Sequence, residues 1–178
     1  MRVIAGELGG RRLVAPEGTT TRPTSDRVRE ATFNALTSLG VLEGATVLDA
    51  FAGSGALGIE ALSRGARHCT FVERDRRALD ALRENLRRCG LAEDRARVVV
   101  GDGASCAGDW DLALLDPPYA FEGWSELLDV LAPAVAVCES GASIDVPDRW
   151  VVVREKAYGA TVVAILRHEP PPEQEDPA

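Results

Sequence analysis

The sequence predicts an α/β protein: a mostly parallel central sheet with helices on both faces, a C-terminal antiparallel hairpin and a short N-terminal β-hairpin appendage. Three observations predict it. Short apolar runs alternate with segments of helical period, the pattern of a parallel sheet covered on both sides. The stretch Val47 to Leu62 reads as buried strand, glycine turn and helix start, with Gly53, Gly55 and Gly58 in G-x-G-x-x-G spacing. The last two apolar runs, Trp150 to Glu155 and Thr161 to Arg167, flank a turn at Tyr158 and Gly159, which sets an antiparallel pair at one side of the sheet.

The elements follow in order. Arg2 to Ala5 and Arg11 to Val14 are strand candidates separated by Gly6, Gly9 and Gly10, so residues 1–23 read as a hairpin appendage ahead of a main domain at 24–168. From Thr24 the period becomes helical: Thr24, Ser25 or Asp26 can cap, and Val28, Ala31, Phe33, Ala35, Leu36 and Leu39 form a stripe that stops at Gly40. After the glycine turn, Cys69 to Val72 is a strand ending at Glu73. Asp75 then caps a helix whose Leu79, Leu82, Leu86 and Cys89 face inward until Gly90. Its outer arginines alternate with Asp80 and Glu84 and read as a solvated face. Arg97 to Val100 and Leu112 to Leu115 are strands ending at Asp102 and Asp116, followed by a helix around Ser125 to Leu131 and a strand at Val135 to Cys138. Residues 169–178, acidic and proline-rich, read as a disordered tail.

Composition narrows the function. At 178 residues the chain can bury one full core and leaves no room for a separate recognition domain. A net charge of -8 and a pI near 4.8 exclude a protein coated in basic charge, so nucleic-acid contact would need a local patch. Cys69, Cys89, Cys106 and Cys138 have no metal-ligand spacing, and no metal is implied. The N-terminus lacks an apolar targeting core, which predicts a soluble, cytoplasmic protein.

Chemistry concentrates where ligands bind in such sheets, beyond the carboxyl ends of the strands. Asp49, Glu73, Asp102 and Asp116 all fall there. Glu73 follows Gly53 by 20 positions, the spacing at which a carboxylate takes both ribose hydroxyls of a nucleoside. Asp49 would repel a pyrophosphate and attract an ammonium, and Asp102 could accept from an adenine amine, so a cationic nucleoside without phosphate suits the site better than a dinucleotide. The competing view is that these acids cap helices and turns. Asp116-Pro117-Pro118-Tyr119 adds a stiff loop in which the Asp116 carboxylate and the Pro117 carbonyl can each accept one hydrogen of an exocyclic amine, while Tyr119 stacks on the ring that carries it. This leaves the nitrogen lone pair aimed at an electrophile.

The segments DAFAGSGALGIEALSRGA and LLDPPY, with the Glu73 strand end, resemble the Rossmann-like class I S-adenosylmethionine-dependent methyltransferases that modify amines. MRVIAGELGGRRL, TRPTSDRVREATFNAL and the C-terminal VVVREKAYGATVVAILRHE resemble the RsmD family, whose members methylate guanine N2 in 16S ribosomal RNA. The resemblance implies S-adenosylmethionine as cofactor, S-adenosylhomocysteine as product and the small ribosomal subunit as partner. Asp49, Phe51, Gly53, Ser54, Gly55, Glu73 and Asp102 would bind the cofactor. Asp116, Pro117 and Tyr119 would clamp the target amine, Tyr119 standing where relatives carry Phe.

RNA contact is expected from the appendage and the helix after it. Within the first 30 residues, six arginines outnumber four acids, although the whole chain is acidic. Arg11, Arg12, Arg22, Arg27 and Arg29 are the candidates to grip phosphates beside a flipped guanine. The rival account pairs Arg27 and Arg29 within their own helix and leaves Arg11 and Arg12 on an edge strand. Adenine N6 or a protein glutamine amide are alternative targets. A cofactor-binding assembly factor without turnover and a dinucleotide oxidoreductase are alternative classes. The absence of a large apolar stripe predicts a monomer.

Overall fold

The computed structural model describes residues 1–16, 25–106 and 108–169. Arg22 and all but the first residue of the tail expected at 169–178 lie outside them. The elements are α1 (Asp26–Ser38), β1 (Thr46–Asp49), α2 (Ala56–Ser63), β2 (His68–Glu73), α3 (Arg76–Cys89), β3 (Ala96–Val100), β4 (Leu112–Leu115), α4 (Trp124–Leu131), β5 (Val135–Ser140), β6 (Trp150–Tyr158) and β7 (Thr161–His168). They build a seven-stranded sheet in the order β3-β2-β1-β4-β5-β7-β6. The first five strands in chain order run parallel, and β7 runs antiparallel to both β5 and β6.

Strand alternation divides the core. Val47, Leu112, Leu114, Val135 and Val137 face α1, α2 and α3, whereas Leu48, Ala113, Leu115 and Ala136 face α4. Helices thus cover both faces, as the alternation predicts, although a short 3-10 turn at Gly103–Ser105 replaces a helix between β3 and β4. Strand order reverses between β1 and β4, so their carboxyl ends open a crevice.

Local signals set the helix ends. Ser25 caps α1 by accepting from Val28 N, Asp75 caps α3 by accepting from Ala78 N, and Gly90 ends α3 in the left-handed conformation. Gly55 opens α2 at φ +81°, where a Cβ would lie 2.4 Å from Leu82 Cδ1; at Gly58 a Cβ would lie 2.3 Å from Phe71 Cε1. Those two glycines let α2 seat on β2 and α3.

The N-terminal segment shares this core. Among the described residues its strand candidates meet in one antiparallel bridge, Arg2 to Arg12, and Val3, Leu8 and Leu13 are buried against α1 and α2. Buried Glu60 of α2 accepts from Ile4 N at 2.7 Å and Ala5 N at 3.1 Å and pairs with Arg64 at 2.7 Å. Asn85 of α3, also buried, accepts from Val14 N at 2.8 Å and donates to Val14 O and Ser54 O. One amide therefore joins the hairpin to the glycine turn. No helix among the described residues is long and apolar enough to cross a membrane.

Candidate active site

A cleft of about 510 Å³ lies over the carboxyl ends of the parallel strands. Its floor is the turn after β1 (Ala50 to Ser54), one side is Glu73 to Asp75 and Gly101 to Gly103, and the other is Asp116 to Tyr119. The sequence-predicted residues Phe51, Gly53, Ser54, Glu73, Asp102, Asp116, Pro117 and Tyr119 meet here. They come from four strand ends, those of β1, β2, β3 and β4, that are distant in sequence.

Backbone N–H groups hold Glu73 in place. Its Oε2 accepts from Gly53 N at 2.8 Å, and its Oε1 accepts from Arg74 N at 2.8 Å and Asp75 N at 2.7 Å. Oε1 already accepts two of these bonds, so the carboxylate keeps one lone-pair site, on Oε2, for a ligand hydroxyl. Asp102 accepts from Ala104 N at 3.1 Å and pairs with exposed Arg74 at 3.2 Å, so it shapes the rim while lining the cleft. Next to it, a Cβ at Gly103 would lie 1.7 Å from Ala50 O: the turn after β3 rests on the end of β1 only because that residue is glycine.

The loop after β4 is braced from below. Phe121 packs on Phe51 (ring centroids 5.9 Å apart) and edge-on against Trp124 (5.4 Å), linking the Asp116 loop to the glycine turn. Pro117 is buried, whereas the Tyr119 ring is 63% exposed along the cleft and is therefore available to stack on a planar ligand.

Three expectations need correction. Asp49 does not face the cleft. It is buried beneath the glycine turn, and its Oδ2 accepts from Gly58 N at 2.9 Å. Strand alternation explains this, because Asp49 points to the same face as Val47. Burial raises its pKa to about 7 against the opposing Gly58 N–H bond, with Asp116 and Glu73 adding repulsion. Gly55 is also behind the wall, where it admits Leu82 rather than a ligand. Arg29 is not an exposed phosphate grip. Its side chain is 1% exposed, its Nη2 donates to Arg2 O and to Asp26 Oδ1 (3.0 Å), and its Nε lies 3.8 Å from Glu60 Oε2. Arg11, Arg12 and Arg27 are exposed, with Arg11 donating to Arg88 O at 3.1 Å.

The structure adds residues that the sequence reading passed over. Glu139, at the carboxyl end of β5, and Met1, Ala15 and Pro16 of the N-terminal segment join the wall. Strand-end placement could have found Glu139 had β5 been extended by one residue. Among the described residues the cleft thus carries Glu73, Asp75, Asp102, Asp116 and Glu139 against Arg29 and Arg74, an excess of acid that suits a cationic ligand.

The chain matches the family model described as conserved hypothetical protein 95 over residues 1–167. It is 36% identical over 183 residues to ribosomal RNA small subunit methyltransferase D of Escherichia coli, spanning 95% of this chain and 90% of that protein. The protein of the same name from Haemophilus influenzae is 32% identical, spanning 89% of each. Among solved structures, "Putative methyltransferase yhhF from Escherichia coli" superposes with a TM-score of 0.82 at 37% identity, covering 95% of this chain and 98% of that one.

Proposed function

The chain belongs to the RsmD family, described as conserved hypothetical protein 95, and from that premise we propose that it transfers a methyl group from S-adenosylmethionine to the exocyclic N2 amine of a guanine in 16S ribosomal RNA. The observation that carries this reading is the meeting of the Glu73 carboxylate, the bare backbone at Gly53 and the Asp116-Pro117-Pro118-Tyr119 loop in one acidic cleft. These residues fit the cofactor. Glu73 offers a fixed acceptor to a ribose hydroxyl, Gly53 and Ser54 let the ligand lie on the main chain, and Asp102 stands at the adenine end.

When bound, the cofactor supplies a methyl group already activated by a sulfonium. The protein's part is alignment. The Asp116 carboxylate and the Pro117 carbonyl each accept one hydrogen of the target amine, and Tyr119 stacks on the guanine plane, so the nitrogen lone pair is directed across the cleft. Asp116 also stabilises the positive charge that grows on the nitrogen as the bond forms, and can hold a proton released from it. The Phe51–Phe121–Trp124 contacts keep the clamp and the glycine turn in register.

RNA would approach across the N-terminal face, where Arg11, Arg12 and Arg27 are exposed and Met1, Ala15 and Pro16 reach the cleft wall. Arg22 extends this set by sequence position. The reading includes a monomeric, cytoplasmic enzyme that acts on small ribosomal subunits. The test compares Asp116→Ala with the unmutated protein. Transfer of labelled methyl to small-subunit RNA should fall by about 1,000-fold or more, while S-adenosylhomocysteine affinity measured by calorimetry stays within about threefold, since the adenosine contacts are untouched. Undiminished transfer would overturn the clamp.

A further inference from the structure

We propose that Arg29 and the first turn of α2 form the receptor for the carboxylate of the cofactor's methionine moiety. This rests on the cofactor reading above. Among the described residues, Arg29 is the buried cation of the cleft wall, and two of its nitrogens, Nε and Nη1, have no hydrogen-bond partner there. Native proteins rarely leave such groups unsatisfied without a ligand or water to take them. Its Nη2 is already committed to Asp26 and to the Arg2 carbonyl, so Nη1 is the group left to serve a ligand.

The surroundings specify the ligand's charge and shape. Arg29 Nε lies 3.8 Å from Glu60 Oε2. Glu60 sits three and four residues after Leu57 and Ala56, hence on the same face of α2 one turn further along. Ala56 and Leu57 both line the cleft, and as first-turn residues their N–H groups have no intrahelical acceptor. The N–H of Gly58 is taken by Asp49, which leaves the two residues before it to face the ligand. A planar anion with two oxygens matches this set: one oxygen for the helix N-terminus, the other for the guanidinium.

Location selects the cofactor's carboxylate over an RNA phosphate. Arg29 is 1% exposed, out of reach of a backbone that crosses the surface. Glu73 and Asp102 take the adenosine along one side of the cleft, and Asp116 to Tyr119 take the target amine. The remaining wall, where Arg29, Ala56 and Leu57 meet, is left for the amino-acid end. Arg2 O and Asp26 hold Arg29 Nη2, and Glu60 lies 3.8 Å from its Nε, so the N-terminal segment is linked to cofactor binding.

The test measures affinity by calorimetry for S-adenosylhomocysteine and for its decarboxylated analogue, with the unmutated protein and Arg29→Gln. The unmutated protein should prefer the carboxylate ligand by about 10- to 100-fold, the scale of a charge-assisted contact, and Arg29→Gln should reduce that preference to within about threefold. Equal weakening of both ligands with the preference intact would assign Arg29 a purely structural role and overturn the proposal. So would an unmutated protein that binds both ligands equally, and in that case the cofactor reading survives. Failure of the unmutated protein to bind either ligand sinks the cofactor reading itself. In the unmutated protein, the Arg29 side-chain N–H resonance should move with S-adenosylhomocysteine and not with the analogue. The same movement with both would contradict the assignment without any variant.

Discussion

Asp49 offers a pH experiment whose sign is fixed by its burial. The ordinary carboxyl value is 3.8, and in the folded protein Asp49 rises to about 7. Below about pH 4 both the folded and the unfolded chain carry the protonated acid. Between there and about pH 7 the unfolded chain releases that proton while the folded chain keeps it, so this group's contribution to stability falls as pH rises. The gap corresponds to about 4 kcal/mol at neutral pH and above. Asp49→Asn retains an oxygen to accept from Gly58 N and cannot ionise. Any fixed offset from the new amide is the same at every pH. Urea unfolding of both proteins from about pH 4 to pH 8 should therefore show the variant gaining on the unmutated chain by roughly 4 kcal/mol, nearly all of it before about pH 7.5. A difference that is flat with pH, or that shrinks as pH rises, would refute the reasoning and return Asp49 to a solvated, ligand-facing position.

Three further outcomes follow from the packing and the charges. Gly58→Ala sets a methyl 2.3 Å from Phe71 Cε1 and 2.7 Å from Cys69 Sγ. Despite alanine's better helix propensity, the urea midpoint should fall by an amount equivalent to about 1–3 kcal/mol. Glu60→Ala strips the acceptor from Ile4 N and Ala5 N and leaves Arg29 and Arg64 without their buried partner, costing about 3–5 kcal/mol. Hydrogen exchange should then rise first across residues 3–13. Charge reversal at Arg11 and Arg12 together should weaken RNA binding, flatten its salt dependence by a slope of about 2, and leave S-adenosylhomocysteine affinity unchanged. This probe is cleaner than truncating the segment, which would remove buried Val3, Leu8 and Leu13.

Much of the fold is legible because it rests on local rules. Leu112 to Leu115 reads as a strand from its apolar run, and Asp75 and Gly90 bound α3 by capping chemistry alone. Strand lengths were less legible where pairing sets them. β6 runs on to Tyr158 because Lys156, Ala157 and Tyr158 pair with Val163, Val162 and Thr161, and β5 reaches Ser140 because β7 continues beside it. The cleft-lining residues of the glycine turn and the Asp116 loop are legible because motif and strand end coincide. The buried polar network was not read, although a trace of it exists in the periodicity. Arg29 precedes Phe33 by four and Leu36 by seven, and Asn85 follows Leu82 by three, so both fall on core faces of their helices. Charge argued for solvent, and the tertiary partners, Arg2 O and Glu60 for Arg29 and Val14 and Ser54 for Asn85, make the inward positions tolerable. Asp49 shows the converse error. Its place at a strand end suggested the ligand, whereas period-two alternation with Val47 points it under α2.

The proposed methylation of guanine N2 in small-subunit ribosomal RNA can be read directly. The direct measurement gives the purified protein labelled S-adenosylmethionine and small ribosomal subunits that lack the modification, digests the RNA and identifies the labelled nucleoside. The expected result is label in N2-methylguanosine. Label in N6-methyladenosine, or in protein rather than RNA, would contradict it while leaving fold and cofactor in place.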